Sequence, residues 1–398
     1  MVVKGDARPH MVPLLIIAML VGVAACKSPD ADEIITSGQR IVHPISAAIP
    51  GFDQAHNFVA SDLAADGESE MRAVVRALLS ATESMTLGML EGETHEMFGS
   101  IADIDVDADG NMYVLDSQFN EVRVYSAEGT FQYAIGRMGQ GPNEFTAPRF
   151  IDVNRSGRVI VADQYYGIKI FEQTGDTHRL AATVPLSFTP MGMCVDNDIL
   201  HVQGSRAEDL SAIFRFSLSG DSLGSFGATY KSSSLSVRTY LTNGHIVCLR
   251  RPASVMYFPQ FLPAIYGYSY EGVMQWVSKI AKHQSLDIVE EQSGTSGRSW
   301  VNMNVFNKTY DVIMGAVELP ERHVIVQIAT ITPESIKSGE GERYAELRTY
   351  LMSALTGEAI FVTDTMPPVY AVTADRMYTV HTHPFPQITV YDLTSPAS

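Results

Sequence analysis

Cysteine is scarce: the chain has three in 398 residues, Cys26, Cys194 and Cys248, too few for a disulfide framework. Positive charge is short as well, 28 Lys and Arg against 45 Asp and Glu, a formal net charge of −17. Nucleic-acid binding draws on a basic face that neutralises phosphates, so no nucleic-acid partner is expected. No uninterrupted apolar run reaches the ~18 residues of a membrane-spanning helix. The HExxH zinc motif is missing. Gly139-Gln140-Gly141 resembles a phosphate loop only superficially, because the Lys-Ser/Thr pair and a following helix are absent. What the chain does have is a 45% hydrophobic composition, enough to bury a substantial core.

The N-terminus carries an address. Lys4, Arg8 and His10 precede an almost wholly apolar stretch, 11–25, and Cys26 follows. A basic start, a short apolar segment and small residues before a cut site make a secretory signal. Val23-Ala24-Ala25-Cys26 looks like the lipobox of bacterial lipoproteins, whose Cys is acylated. The resulting expectation is a signal peptide over 1–25, lipidation at Cys26 and a polar tether over 26–68. The protein would then be lipid-anchored in the bacterial cell envelope, at the outer membrane, facing the periplasm or the cell surface. Met71, Val74, Val75, Leu78 and Leu79 at helical spacing predict one short amphipathic helix or linker within 69–83.

From residue 98 the periodicity becomes strand-like, and it repeats. Asp107-Ala108-Asp109-Gly110 through Asp116 aligns with Asn154-Arg155-Ser156-Gly157 through Asp163, at an offset of 47 residues for both Gly and Asp. Each copy reads strand, turn, strand, loop, strand, Gly turn, strand. Weaker copies follow at Val195–Val202, Thr242–Leu249, Pro320–Val326 and Ala374–Val380. Four strands at a period in the forties signal a β-propeller. The sixth copy stops before its outer strand, which Ser84–Leu90 can supply. The expectation is an all-β, six-bladed propeller over 84–398 with four-stranded antiparallel blades, closed by strands from both ends of the domain.

The stretch 103–131 and the run Gly136-Arg137-Met138-Gly139-Gln140-Gly141-Pro142-Asn143-Glu144-Phe145, a G-x-x-G-x-G-P-x-E-F signature, resemble NHL-repeat-like, six-bladed propeller lipoproteins of the TolB-like superfamily. The first two blades carry the likeness. It implies fold more than function, since most such lipoproteins have no known biochemical activity.

With strands lettered A to D from the axis outward, B–C and D–A connections share one face and the short A–B turns lie on the other. The long connections, Arg250–Ala264, Ala281–Asp311, Ile331–Arg343 and His381–Pro386, are all read as B–C or D–A. That face is therefore the candidate ligand-binding surface. It is expected to carry Asp116, Gln118 and Phe119; Arg137, Asn143, Glu144 and Arg149; Asp163, Tyr165 and Tyr166; Arg206; and Arg250, Arg251, Tyr257, Trp300, His381 and His383. Arg and aromatic groups together suit a peptide or polar organic ligand. The competing reading makes Glu144 and Arg149 interblade struts and packs the aromatics under their own loops.

Chemistry is less legible. His381-Thr382-His383 would point two imidazoles the same way on a strand, yet no Cys/His cluster accompanies it and no metal site is assigned. Asp105, Asp107 and Asp109 read as turn-formers beside Gly110. Cys194 is placed on a strand A and Cys248 on a strand B, at different depths, as two buried unpaired thiols. The function expected is non-catalytic recognition of a peptide, protein or glycan, with no cofactor. The alternative is a lactonase-like metal-assisted lyase or hydrolase. Three or more convergent His, Asp, Glu or Asn in the axial channel would favour the enzyme, and an apolar plug would favour binding.

Overall fold

The computed structural model describes residues 39–42, 49–51, 55–57 and 65–393, apart from Tyr166, Asn197, Ser233, Pro252, Asp287, 293–298, 304–306, Glu321 and 338–343. Cys26, the signal segment and most of the expected tether lie outside them.

The turns of the first two repeats show why the sequence folds as it does. Asp107 Oδ1 accepts hydrogen bonds from the backbone N–H of Asp109 and Asn111, both at 2.9 Å. Forty-seven residues on, Asn154 Oδ1 accepts from Ser156 at 3.1 Å and Arg158 at 3.0 Å. Each loop finishes on a glycine with positive φ, 83° at Gly110 and 75° at Gly157, a conformation L-residues adopt at a cost. The strands after these turns, Met112–Asp116 and Val159–Asp163, are buried at every position. A second strand in a propeller blade is covered on both sides, which is why these read as continuous apolar runs.

Six four-stranded antiparallel sheets result. Blade one is Ile101–Val106, Met112–Asp116, Glu121–Tyr125 and Phe131–Ile135. Blade two is Pro148–Val153, Val159–Asp163, Gly167–Thr174 and Thr177–Val184. Blade three is Gly192–Asp196, Ile199–Gln203, Ile213–Ser217 and Ser222–Phe226. Blade four is Gly244–Arg250, Ala253–Pro259, Ala264–Ser269 and Met274–Lys279, with His56–Asn57 added in parallel at its outer edge. Blade five is Tyr310–Leu319, His323–Ile331, Glu346–Ser353 and Ala359–Thr363. Blade six is Val369–Val372, Arg376–His381 and Gln387–Asp392, completed by Thr82–Leu87. In that closure Ile388 pairs with Leu87 and Asp392 with Thr82. The ring is thus shut by strands from both ends of the domain.

Neighbouring blades share their cores. Tyr113, Leu115 and Val124 of blade one pack against Ile151, Val161 and Phe171 of blade two. Tyr378 and Val390 of blade six pack against Ile104 and Met112 of blade one. Among the described residues three α-helices decorate the ring: α1 (Ala65–Leu79), α2 (Leu235–Thr242) and α3 (Pro333–Lys337). Met71 and Leu78 of α1 are buried against Leu319, Ile325 and Leu351 of blade five and Val369 and Met377 of blade six. In the connection from blade four to blade five, Ile288–Gln292 and Ser299–Met303 form a small sheet with the N-terminal strand Gln39–Val42.

Blade four departs from expectation. The segment read as a strand–turn–strand around Gly244 is instead one inner strand, Gly244–Arg250, preceded by α2. Gly244 makes no turn. It is a close-approach glycine, whose Cβ would collide with the backbone of Phe258 and Pro259 on the paired strand. The A–B turn falls at Arg251-Pro252, and Ala253–Pro259 is strand B. Two consequences follow. The connection Arg250–Ala264 is not a B–C loop. Cys248 also moves to an inner strand, where it forms a disulfide with Cys194 of blade three, Cα–Cα 5.6 Å. The two are not unpaired thiols.

Candidate functional site: the axial channel and its two mouths

Two residues assigned to the ligand face are structural. Asp116 and Asp163 end the second strands of blades one and two and are 0% exposed. Asp116 accepts four backbone hydrogen bonds, from Gly99 (2.8 Å), Ser100 (3.1 Å), Gln118 (3.0 Å) and Phe119 (3.3 Å). Asp163 accepts from Thr146 at 2.7 Å and Tyr165 at 3.2 Å. Each has a buried cation beside it on the third strand, opposite equivalent positions, Val114 and Val161. Arg123 lies 4.0 Å from Asp116 and donates to the Met97 carbonyl at 2.6 Å. Lys169 donates to the Glu144 carbonyl. Its burial lowers the ammonium pKa, while the charge of Asp163 opposes that shift. Carboxylate and cation together tie the loop entering each blade to its centre.

The interblade signature is likewise self-contained. Glu144 Oε2 accepts from the Gly141 N–H at 2.8 Å and Oε1 pairs with Arg137 at 2.8 Å. The Gly141 and Arg137 hydrogen bonds hold the Glu144 carboxyl below its usual range. A Cβ on Gly136 would overlap the ring of Phe145, which is why glycine is required there. Asn143 Oδ1 accepts from the Leu180 N–H at 3.1 Å, tying this loop to blade two.

Inner strands surround an axial channel of about 1930 Å³. It contains carboxylates, among them Asp105, which the sequence alone places in a turn. Asp103 and Asp105 face it from blade one, Asp152 from blade two and Glu318 from blade five. Burial raises the carboxyl pKa of Asp103 to about 7, Asp105 to about 6 and Glu318 to about 7, and lifts Asp152 well above its ordinary value. Asp103 and Asp105 keep some contact with channel space, so channel water moderates these shifts without reversing them. Asp105 is not a turn-former. It sits 47 residues before Asp152, at the equivalent position. Asp105 Oδ2 accepts from the Val153 N–H of blade two at 2.5 Å, and Asp152 Oδ2 accepts from the Val195 N–H of blade three at 2.9 Å. Asp103 Oδ2 accepts from Ile151 at 2.9 Å. Asp103 and Asp105 each bond their own next residue through the second oxygen. These are latches between inner strands. Carboxylates do converge, as an enzyme would require, but blade one's are occupied by backbone N–H groups at both oxygens. Nor is the channel filled by an apolar plug. Among the described residues, three potential ligand atoms come within 4.8 Å of one another only at Cys194, His201 and Cys248.

The remaining candidates divide between the two faces. Arg250 and Arg251 lie at an A–B turn, on the face opposite the one expected. Arg250 approaches Asp196 at 3.7 Å, and Arg155 and Arg322 line the channel from A–B turns as well. Tyr257 is fully buried, its hydroxyl donating to the Thr242 carbonyl at 2.6 Å, so it is no surface group. Arg206 lies over the rings of Phe188 and Phe214, 4.9 and 4.4 Å from the centroids. Tyr166 is outside the described residues. Trp300 lies on Ser299–Met303, with its side chain outside them.

On the B–C/D–A face, Arg149 and Gln164 line the channel and bond to each other at 2.9 Å. Burial lowers the Arg149 pKa. Thr239 and Tyr240 of α2 line it too, and His383 and Phe385 reach it from the loop after His381. Tyr165 stands 70% exposed and Phe119 37%. The helix α2 was not foreseen. Its Ser234 cap, which accepts from the Val237 N–H at 3.4 Å, was the available signal. One pattern also escaped reading: Gly220-Asp221-Ser222-Leu223-Gly224 has G-x-S-x-G spacing. It forms the hairpin between Ile213–Ser217 and Ser222–Phe226, not the strand-to-helix elbow that exposes a nucleophile.

A family model described as DUF5128, 6-bladed beta-propeller, matches residues 81–273. Among solved structures, a Bacteroides fragilis protein named as exported superposes with TM-score 0.54 at 12% identity, covering 86% of this chain and 99% of that one. A Bacteroides vulgatus member of the duf4221 family gives TM-score 0.51 at 10% identity, covering 79% and 98%. Among curated proteins, Protein brain tumor of Drosophila melanogaster is 28% identical over 113 residues, 28% of this chain. The chain spans only 10% of that protein's length. At these identities the likeness is one of fold: this chain is a six-bladed β-propeller.

Proposed function

We propose that the protein is a recognition module of the bacterial envelope, tethered through a lipid on Cys26, that takes a peptide, protein segment or glycan at the B–C/D–A mouth of its axial channel. One observation carries this reading. The mouth on that face brings a partly desolvated cation, Arg149, together with Gln164, Thr239, Tyr240, His383 and Phe385 around a wide channel. Cationic, amide, hydroxyl and aromatic groups in one concavity suit ligands that mix charge, hydrogen bonds and flat apolar surface. A hydrolytic reading would need the channel carboxylates as free bases or ligands, and those of blade one are held by backbone N–H groups at both oxygens. Val23-Ala24-Ala25-Cys26 supports the location.

The test is affinity capture from bacterial envelope extracts with wild type, Arg149→Ala and Tyr240→Ala. The expected result is a partner held by wild type and lost from both variants. A partner retained equally by all three would remove this mouth from the account.

A further inference from the structure

His201 is 0% exposed, yet neither ring nitrogen has a strong hydrogen-bond partner. Nε2 has none, and Nδ1 meets only Cys248 Sγ, at 3.5 Å. A buried imidazole left this way calls for an explanation. Its setting offers one. His201 pairs with Cys194 across the first two strands of blade three. The two cysteine sulfurs and a ring nitrogen of His201 all lie within 4.8 Å of one another. Both cysteines also line the axial channel, which gives small solutes a route to a cluster packed among Phe226, Tyr268 and other apolar side chains, with Arg215 opposite His201 on the third strand of the blade.

We propose that Cys194, His201 and Cys248 form a Zn²⁺ site whenever their disulfide is reduced, so that one inter-blade position holds either a covalent bond or a metal ion. The exchange balances. A small dithiol transfers two electrons and two protons to the disulfide, becomes a cyclic disulfide itself and leaves two Cys thiols. Zn²⁺ then displaces both protons to solvent and binds two thiolates and the imidazole. Tetrahedral zinc places its ligand atoms roughly 3.3–3.8 Å apart. The sulfurs must therefore part and the imidazole move in, adjustments within reach of side-chain rotation. Two thiolates cancel Zn²⁺, giving a neutral complex, and two thiolates with an imidazole are ligand types that zinc takes in proteins. Three protein ligands leave a fourth position for water or a small ligand.

The test uses the full chain carrying Cys26→Ser, so that the buried pair supplies its only thiols. The protein is reduced anaerobically, loaded with Zn²⁺ and desalted, and retained zinc is counted. In parallel, Co²⁺ replaces zinc and sulfur-to-cobalt charge-transfer absorption is recorded. Reduced protein should keep one Zn²⁺ and show the charge-transfer bands, whereas the oxidised protein should do neither. His201→Phe retains the disulfide during folding and should weaken Zn²⁺ binding by more than about 100-fold after reduction. Cys194→Ser should abolish the bands. Reduced protein that keeps no more zinc than its oxidised form overturns the proposal. So does a His201→Phe variant that binds as tightly as its parent, a result that stands even if the cysteine variant fails to fold.

Discussion

Blades one to three and the junction of blades three and four meet the same mechanical need with different chemistry. Asp105 accepts the Val153 N–H, and Asp152, at the equivalent position, accepts the Val195 N–H. The next residue in that series is Cys194, which precedes Val195 as Asp152 precedes Val153. There the tie to the following blade is the Cys194–Cys248 disulfide. At the same junction Gln203 Nε2 also donates to the Thr242 carbonyl at 2.5 Å, and between blades five and six Gln327 Oε1 accepts from the Val369 N–H at 2.8 Å. A repeat can therefore lose its consensus residues while keeping a constraint at these junctions. The carboxylates of the well-repeated blades are evidence of architecture before they are evidence of chemistry.

Four experiments would break or sharpen this contrast, in descending order of effect. Asp116→Ala strips four backbone N–H groups of their acceptor, while Arg123 keeps Glu121 at 2.7 Å, and should cost about 3–5 kcal/mol, read by denaturant unfolding. A loss below 1 kcal/mol would mean the brace is not needed. Reducing Cys194–Cys248, which closes a sequence separation of 54, should cost about 2–4 kcal/mol without added metal. Melting curves with and without reductant check it. Gly157→Val should cost roughly 1–2 kcal/mol, because the residue has positive φ. Nothing lies within 4 Å of the added Cβ, so a clash would not contribute.

The smallest effect is the slope with pH. Asp103, Asp105, Asp152 and Glu318 have raised folded-state pKa values. Between about pH 4 and pH 7 the folded state holds protons the unfolded chain has released, so these groups stabilise in acid and lose that contribution as pH rises. The lowered carboxyls of Glu144, Asp209 and Glu271 act in the opposite sense only at and below their ordinary values of 4.5, 3.8 and 4.5, the acid end of that range. Asp105→Asn should flatten the slope, in melting curves taken across that range. An unchanged profile would place the titration elsewhere.

The fold was readable because its signals are local. An Asp or Asn turn closed by glycine, repeated after 47 residues, fixes a hairpin by itself, and the all-buried strands that follow reveal a covered sheet. Closure was readable because the last copy lacked a strand, although the strand found, Thr82–Leu87, begins before the Ser84 expected. The site was harder. Whether Asp116 or Asp163 faces solvent depends on which N–H groups the loop seventeen residues earlier brings to it, and nothing in one repeat states that. The offset already aligned Asp105 with Asp152, but the neighbouring turn drew the first into a local explanation. Gly244 misled because one residue type serves both positive φ and close backbone approach. That single reading displaced Cys248, Arg250 and Arg251 together.

The central claim is that the carboxylates at the ends of the second strands hold the propeller together while recognition belongs to the channel mouth beside them. Asp116→Ala and Arg149→Ala, each measured for melting temperature and for partner capture per folded molecule, separate the two roles. The account predicts that Asp116→Ala melts well below wild type and captures normally while still folded, whereas Arg149→Ala melts near wild type and loses capture. The reverse pattern, a stable Asp116→Ala that no longer binds beside an Arg149→Ala that does, would contradict it.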